Sequence, residues 1–276
     1  MNFNVFDQET RLLIETDLRP VQGERFQPTG FPELGAATYT LPDGTEMLLV
    51  ESAQSIANRL EAVCWNDADH DLKHVLQGLP YIRVTSNGEV ITNSILEAHR
   101  LNSPYILESQ DKSFAESLLD ELNVNKDSPV DFSHVAKVIF KYDPNSVIHG
   151  LFISRGEFAG GRLKLPRLLS GFIEARNVRP VESGGVKLDR VDPKANPQLG
   201  FGHVPYTRTE YTAENITAYF NFDLGLLRSY RLGKEAENFL IAWGIWKILC
   251  LLDSGLRLRT ACDLSCQELK VTQPSN

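Results

Sequence analysis

The sequence predicts an α+β protein with a ferredoxin-like, RRM-like β-α-β-β-α-β core, a largely helical insertion and a projecting arm. Three stretches carry that expectation. In residues 216–224, Ile216, Ala218, Phe220, Phe222 and Leu224 fall on one face, while Thr217, Tyr219, Asn221 and Asp223 fall on the other. That period of two belongs to a strand with one packed and one wet face. Residues 240–252 are apolar with a single charge, Lys247, as expected of a buried helix. Residues 50–65, VESAQSIANRLEAVCW, run from a strand end straight into a helix: Ser52 is a suitable cap, and Ile56, Leu60 and Val63 form an apolar stripe.

The remaining elements follow in chain order. Residues 37–51 read as a hairpin turning at Asp43-Gly44, and 80–95 as a second hairpin turning at Asn87-Gly88. Helical patches are expected at 94–101, 111–122 and 131–141, the last stopped by Asp143-Pro144. Residues 146–154 read as a short apolar strand and 170–181 as a strand with a mixed face. From 182 to 214 periodicity is lost among glycines, prolines and cations, which suggests an irregular arm. The core is then strand 45–51, helix 52–64, strand 170–181, strand 216–226, helix 234–253 and strand 256–263. Residues 1–65 and 169–276 form this core, 66–168 is an insertion, and the arm within 182–214 joins the middle strands. Such a sheet leaves one face open, a common RNA platform; Phe220 and Phe222 are expected in the core.

Composition narrows the function. Forty-two per cent hydrophobic and 23% charged residues are ordinary for a globular chain. The first 17 residues carry acids where a signal peptide needs an apolar stretch, and the 13-residue run 240–252 falls short of the ~20 needed to cross a bilayer. A cytoplasmic protein without membrane contact is expected. Cys64 and Cys250 lie in apolar helical stretches, and Cys262 and Cys266 have no nearby histidine, so reduced thiols fit better than zinc. The net charge of −8 is uneven: residues 1–148 carry 11 basic and 23 acidic side chains (−12), 149–210 carry 10 and 6 (+4), and 211–276 carry 7 and 7 (0). A basic segment inside an acidic protein is either a polyanion surface or a solvated loop of mixed charge.

Catalytic signatures are missing. There is no phosphate-loop run, no G-x-S-x-G elbow and no H-E-x-x-H, and His70 and His74 lack a third ligand at a known spacing. No catalytic residue, metal or cofactor is expected. A small-molecule enzyme in the C-terminal half has no motif behind it.

Five separated blocks resemble a known family: RPVQGERFQPTGFPELG, VESAQSIANRLEAVCW, GGRLKLPRLLSGFIEARNV, SGGVKLDRV and GFGHVPYTRTEYTAENITAYFNFDL. They are similar to the backbone subunit of type I-G (earlier I-U) CRISPR effector complexes, in the CRISPR-associated protein seven group of the RNA-binding RAMP superfamily. The similarity runs from about residue 11 to 264. It implies a non-catalytic subunit that polymerises head to tail along a guide RNA (crRNA) in a Cascade-like, DNA-targeting defence complex. Its partners would be the crRNA, the target DNA strand, further copies of itself, a large subunit and a crRNA-end-binding subunit. Sequence specificity would come from base pairing.

The resemblance also assigns residues. In that group a β-hairpin thumb stands between the two middle core strands, where 182–214 lies here. The first strand-to-helix turn faces the guide, so Ser52, Gln54, Asn58 and Arg59, with Arg25, are implied phosphate contacts, helped by the helix N-terminus. Arg162, Lys164 and Arg167, with Arg176, Lys187 and Arg190, are expected to bind guide phosphates from the protein surface. Type III relatives cut RNA with a loop aspartate, and Asp189 and Asp192 are the positions that such an alternative would use.

Overall fold

In the computed structural model of the chain, residues 3–31, 33–127, 129–188, 190–191, 196–199 and 202–274 are described. In chain order the elements used below are β1 (Arg11–Pro20), β2 (Thr38–Thr40), β3 (Glu46–Glu51), α1 (Ala53–Ala62), β4 (Arg83–Ser86), β5 (Glu89–Asn93), α2 (Ser113–Leu122), α3 (Phe132–Tyr142), α4 (Pro144–His149), β6 (Leu151–Ile153), β7 (Leu163–Leu165), β8 (Leu169–Arg176), β9 (Arg179–Lys187), β10 (Val204–Thr212), β11 (Asn215–Asp223), α5 (Lys234–Asp253), β12 (Leu256–Arg259) and β13 (Cys262–Gln273). Seven strands make one antiparallel sheet in the order β12-β13-β1-β11-β8-β3-β2.

The packed face follows from strand alternation. Leu12, Ile14 and Leu18 of β1 align with Phe222, Phe220 and Ile216 of β11, and these with Leu169, Gly171 and Ala175 of β8. All are buried. Helices α1 and α5 cover this face. A Cβ on Gly171 would touch Ile56 of α1, and one on Gly244 of α5 would lie 2.5 Å from the Phe222 ring. Phe220 and Phe222 are core residues, as their periodicity required, at 3% and 1% exposure. On the opposite face Phe172 stacks on Tyr219 at 5.1 Å between ring centroids, and the Tyr39 hydroxyl donates to Glu174. Burial, reinforced by that carboxylate, pushes the Tyr39 phenol up to about 12.

The structure departs from the sequence expectations at several elements. The strand at 45–51 exists as β3, but it lies outside β8 near the sheet edge; its expected place beside β11 is taken by β1, an interior strand that the sequence does not announce. Its alternation is blurred by Thr16 in the core, where the hydroxyl meets Cys266 Sγ at 2.9 Å, and by Leu13 on the open face. The expected strand 170–181 is two strands. Asn177, at φ 51°, takes the left-handed conformation that asparagine tolerates and turns the chain out of the sheet.

The arm is not irregular. β9 and β10 pair residue for residue from Arg179↔Thr212 to Lys187↔Val204. β9 is largely exposed and β10 mostly half-buried, with Glu210 its one buried residue, so no hydrophobic alternation marks these strands in the sequence. One glycine that suggested a loop serves the pairing: a Cβ on Gly184 would lie 2.4 Å from the Tyr206 carbonyl oxygen, while one on Gly185 would press on the Tyr206 side chain at 3.0–3.2 Å.

Within 66–168 the hairpin β4–β5 turns at Asn87-Gly88 as expected, both residues at positive φ. The expected helix at 94–101 is a run of turns ending in a short 3-10 segment, Arg100–Asn102. The expected strand 146–154 is α4, a glycine at φ 82° and then β6. Here Asp143 caps α4 and accepts the Asn145 amide at 3.0 Å, so the proline that stops α3 also starts the next helix. The segment after Leu264 continues β13, paired along β1 as far as Gln273. Among the described residues no helix is long and apolar enough to cross a membrane.

Candidate nucleic-acid interface

The N-terminus of α1 opens onto a groove of about 770 Å³ lined by Gln54, Asn58, His99, Asn102, Phe152 and Arg155, among others. Helix periodicity puts Gln54 and Asn58 on the exposed side, away from Ile56, Ala57 and Leu60. The Gln54 amide donates to Asn58 Oδ1 at 2.9 Å, and its own oxygen accepts from Arg167 Nη2 at 2.9 Å. Arg167 also donates to the carbonyls of Ala53 (3.0 Å) and His149 (3.3 Å). Burial, with Arg100 nearby, lowers the affinity of the Arg167 guanidinium for its proton relative to water. Ser52 accepts the Ser55 amide at 3.3 Å as the helix cap.

Beyond the helix, β6 and β7 form a two-stranded ribbon with Phe152 directly opposite Lys164. Both point outward between buried neighbours. Arg155 pairs with Glu108 at the groove wall. Arg155 and Glu108 offset one another in the groove lining, while Lys164, opposite Phe152, and Arg167, bonded to Gln54, add positive charge beside it.

A second set of predicted residues marks the root of the arm. Arg25 Nη1 lies 3.1 Å from the buried Glu210, which also accepts from Arg208 (2.6 Å) and Ser183 (2.8 Å). Next to it Phe26 and Tyr211 exchange both backbone hydrogen bonds at 2.9 Å. Lys187 and Arg190 are exposed further along the arm.

Three predicted residues stand elsewhere. Arg59 turns away from Gln54 and Asn58: it donates to the Leu258 carbonyl at 2.6 Å and pairs with the buried Glu51, which also holds Arg259 and Ser55. Burial lowers its proton affinity too. Arg162 is exposed but donates to the carbonyls of Ala159 (3.0 Å) and Lys126 (2.8 Å). Arg176 sits at the C-terminal end of β8 beside the Asp43–Thr45 turn. Asp189 and Asp192 lie outside the described residues.

Residues 12–180 match the family model described as CRISPR-associated protein GSU0053. The chain belongs to this family. A chain of the solved structure described as "CRISPR RNA-guided surveillance complex, pre-nicking" superposes with a TM-score of 0.47 at 10% identity, covering 97% of this chain and 80% of that one. No curated protein matches this chain in sequence.

In this GSU0053-family protein the residues behind the groove escaped sequence reasoning. Glu61 of α1 binds Arg100 through two hydrogen bonds, at 2.6 and 2.7 Å. Asn145 donates to Glu61 at 2.8 Å and accepts from Lys247 at 2.5 Å. Lys247 in turn lies 2.9 Å from His149 Nε2 and 4.5 Å from the Trp243 ring centre. All five polar residues are buried. Burial and the nearby cations Lys247, Arg100 and Arg167 hold His149 neutral, well below its usual range, so its Nε2 accepts from the lysine. The network ties α1, α4, α5 and the turn after β5 into the wall that carries the groove. One signal was available: a lone lysine inside an apolar helix requires a partner.

Proposed function

We propose that this family member is a non-catalytic crRNA-binding backbone subunit that polymerises head to tail along the guide in a cytoplasmic, Cascade-like complex directed at foreign DNA. Family membership supports a role in CRISPR defence. The observation that carries the finer reading is the paired arm β9–β10, which rises between β8 and β11 from a root fixed by Arg25–Glu210 and Phe26–Tyr211. The sheet supports it too: β13-β1-β11-β8 with α1 and α5 on one face is the strand order of a ferredoxin-like unit whose first strand is β1. The guide would run along the groove at α1, past Gln54 and Asn58 of its lining and the neighbouring Arg167 and Lys164. Further copies, the target DNA strand, a large subunit and a crRNA-end-binding subunit complete the assembly.

Head-to-tail contacts whose rotation does not close into a ring leave copy number open, and the guide would set it. Co-expression with repeat–spacer transcripts of stepped length tests the proposal. Equal mass increments by native mass spectrometry are expected, and replacing residues 188–203 by a short Gly-Ser turn should abolish them while leaving a folded monomer. A copy number indifferent to spacer length overturns it.

A further inference from the structure

We propose that Phe152 is a base-stacking residue: the groove beside α1 takes one unpaired nucleobase against the Phe152 ring while Lys164 and Arg155 hold its flanking phosphates. This rests on the RNA-binding reading above and goes beyond it, because it places a base, and not only the backbone, against the protein.

Four observations lead there. Leu151 and Ile153 are buried at 5% and 0%, so strand alternation forces residue 152 outward, and a phenylalanine stands there 52% exposed. A single exposed ring is ordinary by itself, so it is the setting of this one that carries the argument. Lys164 is its cross-strand partner, within about 5.5 Å between Cβ atoms in such a pair, so ring and cation present together. Polar groups of the groove lining are incompletely used: the buried Asn102 Oδ1 and Arg155 Nε have no hydrogen-bond partner among the described residues. Finally, Gln54 is clamped by Arg167 and Asn58, which fixes two amides at the rim before any ligand arrives.

The chemistry selects the occupant. An apolar protein side chain would use the ring but gain nothing from Lys164 beside it and Arg155 in the groove lining. A phosphate alone would use the cations but not the ring. A nucleotide uses both, and stacking accepts any base because every base has a π-face.

The test uses the full chain, a single-stranded RNA oligomer and an abasic oligomer of equal length. Phe152 packs no core, so its variants should fold, and thermal melts verify this. Phe152→Ala should weaken RNA binding about 10-fold, within the range for one stacked base. The salt slope should stay unchanged, since no phosphate contact is lost. Phe152→Leu should be as weak as Phe152→Ala, whereas Phe152→Trp should keep full affinity and gain an indole emission that RNA quenches. Abasic binding should be the same for all four proteins. Full affinity of Phe152→Leu, or an equal loss for abasic and normal RNA, overturns the stacking assignment while leaving the RNA-binding reading intact. Wild-type protein that binds neither oligomer overturns both.

Discussion

Glu61 and Arg100, 39 residues apart in the chain, meet in a bidentate pair whose side chains are only 7% and 8% exposed. The pair joins the last turn of α1 to the turn after β5, and Arg100 adds a 3.1 Å bond to the Gly150 carbonyl. Leaving one buried charge without its partner costs roughly 3–5 kcal/mol. Arg100→Leu should therefore lower stability by about that amount in urea unfolding. A loss under about 1 kcal/mol would mean that water reaches Glu61 when Arg100 is gone.

The neutral state of His149 gives a pH dependence with a definite sign. Below its ordinary value of 6.5 the unfolded chain takes up a proton that the folded protein refuses, so stability falls as the pH falls. The slope from this residue is roughly 1.4 kcal/mol per pH unit until the native group titrates. Facing the ring are Lys247 from α5 and Arg100 and Arg167 from the flanking turns, all opposing protonation; Glu61 lies one residue further, through Asn145. His149→Gln keeps an acceptor for Lys247 without titrating, and its stability should decline less between pH 7 and 5. Asp143, fully buried and pushed up by desolvation, acts with the opposite sign but is common to both proteins. Parallel pH profiles for the two proteins would refute this account.

Gly244 inverts an ordinary rule. Glycine to alanine within a helix normally gains up to about 1 kcal/mol. Here the new methyl would lie 2.5 Å from Cε2 and 2.8 Å from Cδ2 of Phe222, a ring held between α5 and the sheet. Gly244→Ala should destabilise by about 1–3 kcal/mol, as overpacking does. Adding Phe222→Leu should recover part of that loss, and calorimetry of the two variants decides the matter.

What could be read from the sequence were features that one segment specifies by itself. The burial of Phe220 and Phe222, the Asn87-Gly88 turn, the Ser52 cap and the exposed Gln54 and Asn58 are local consequences of periodicity or turn chemistry. The features missed are relations between distant segments. β1 is an interior strand because both β11 and β13 pair with it, and nothing in Arg11–Pro20 announces two partners. Arg59 and Arg167 look alike as surface cations, yet each is spent largely on backbone carbonyls, at Leu258 for one and at Ala53 and His149 for the other. Lys247 meets Asn145 across 102 residues, and no pattern within α5 names that partner.

The double footing of the arm sets how accurately its tip is aimed. Nine-residue strands extend about 30 Å, so a rotation of 5° at Asn177 would sweep the far end through roughly 2.6 Å, close to the rise of one residue along a strand. Two covalent links at 177–178 and 213–214 would leave such a lever free to swing about their common axis. The Phe26–Tyr211 backbone pair and the Arg25–Glu210 contact grip one strand from the side, off that axis, and act as a brace. In the head-to-tail assembly proposed above, angular error would multiply with each copy, and a root held from the side as well as by its two covalent links would keep repeated joints from accumulating it.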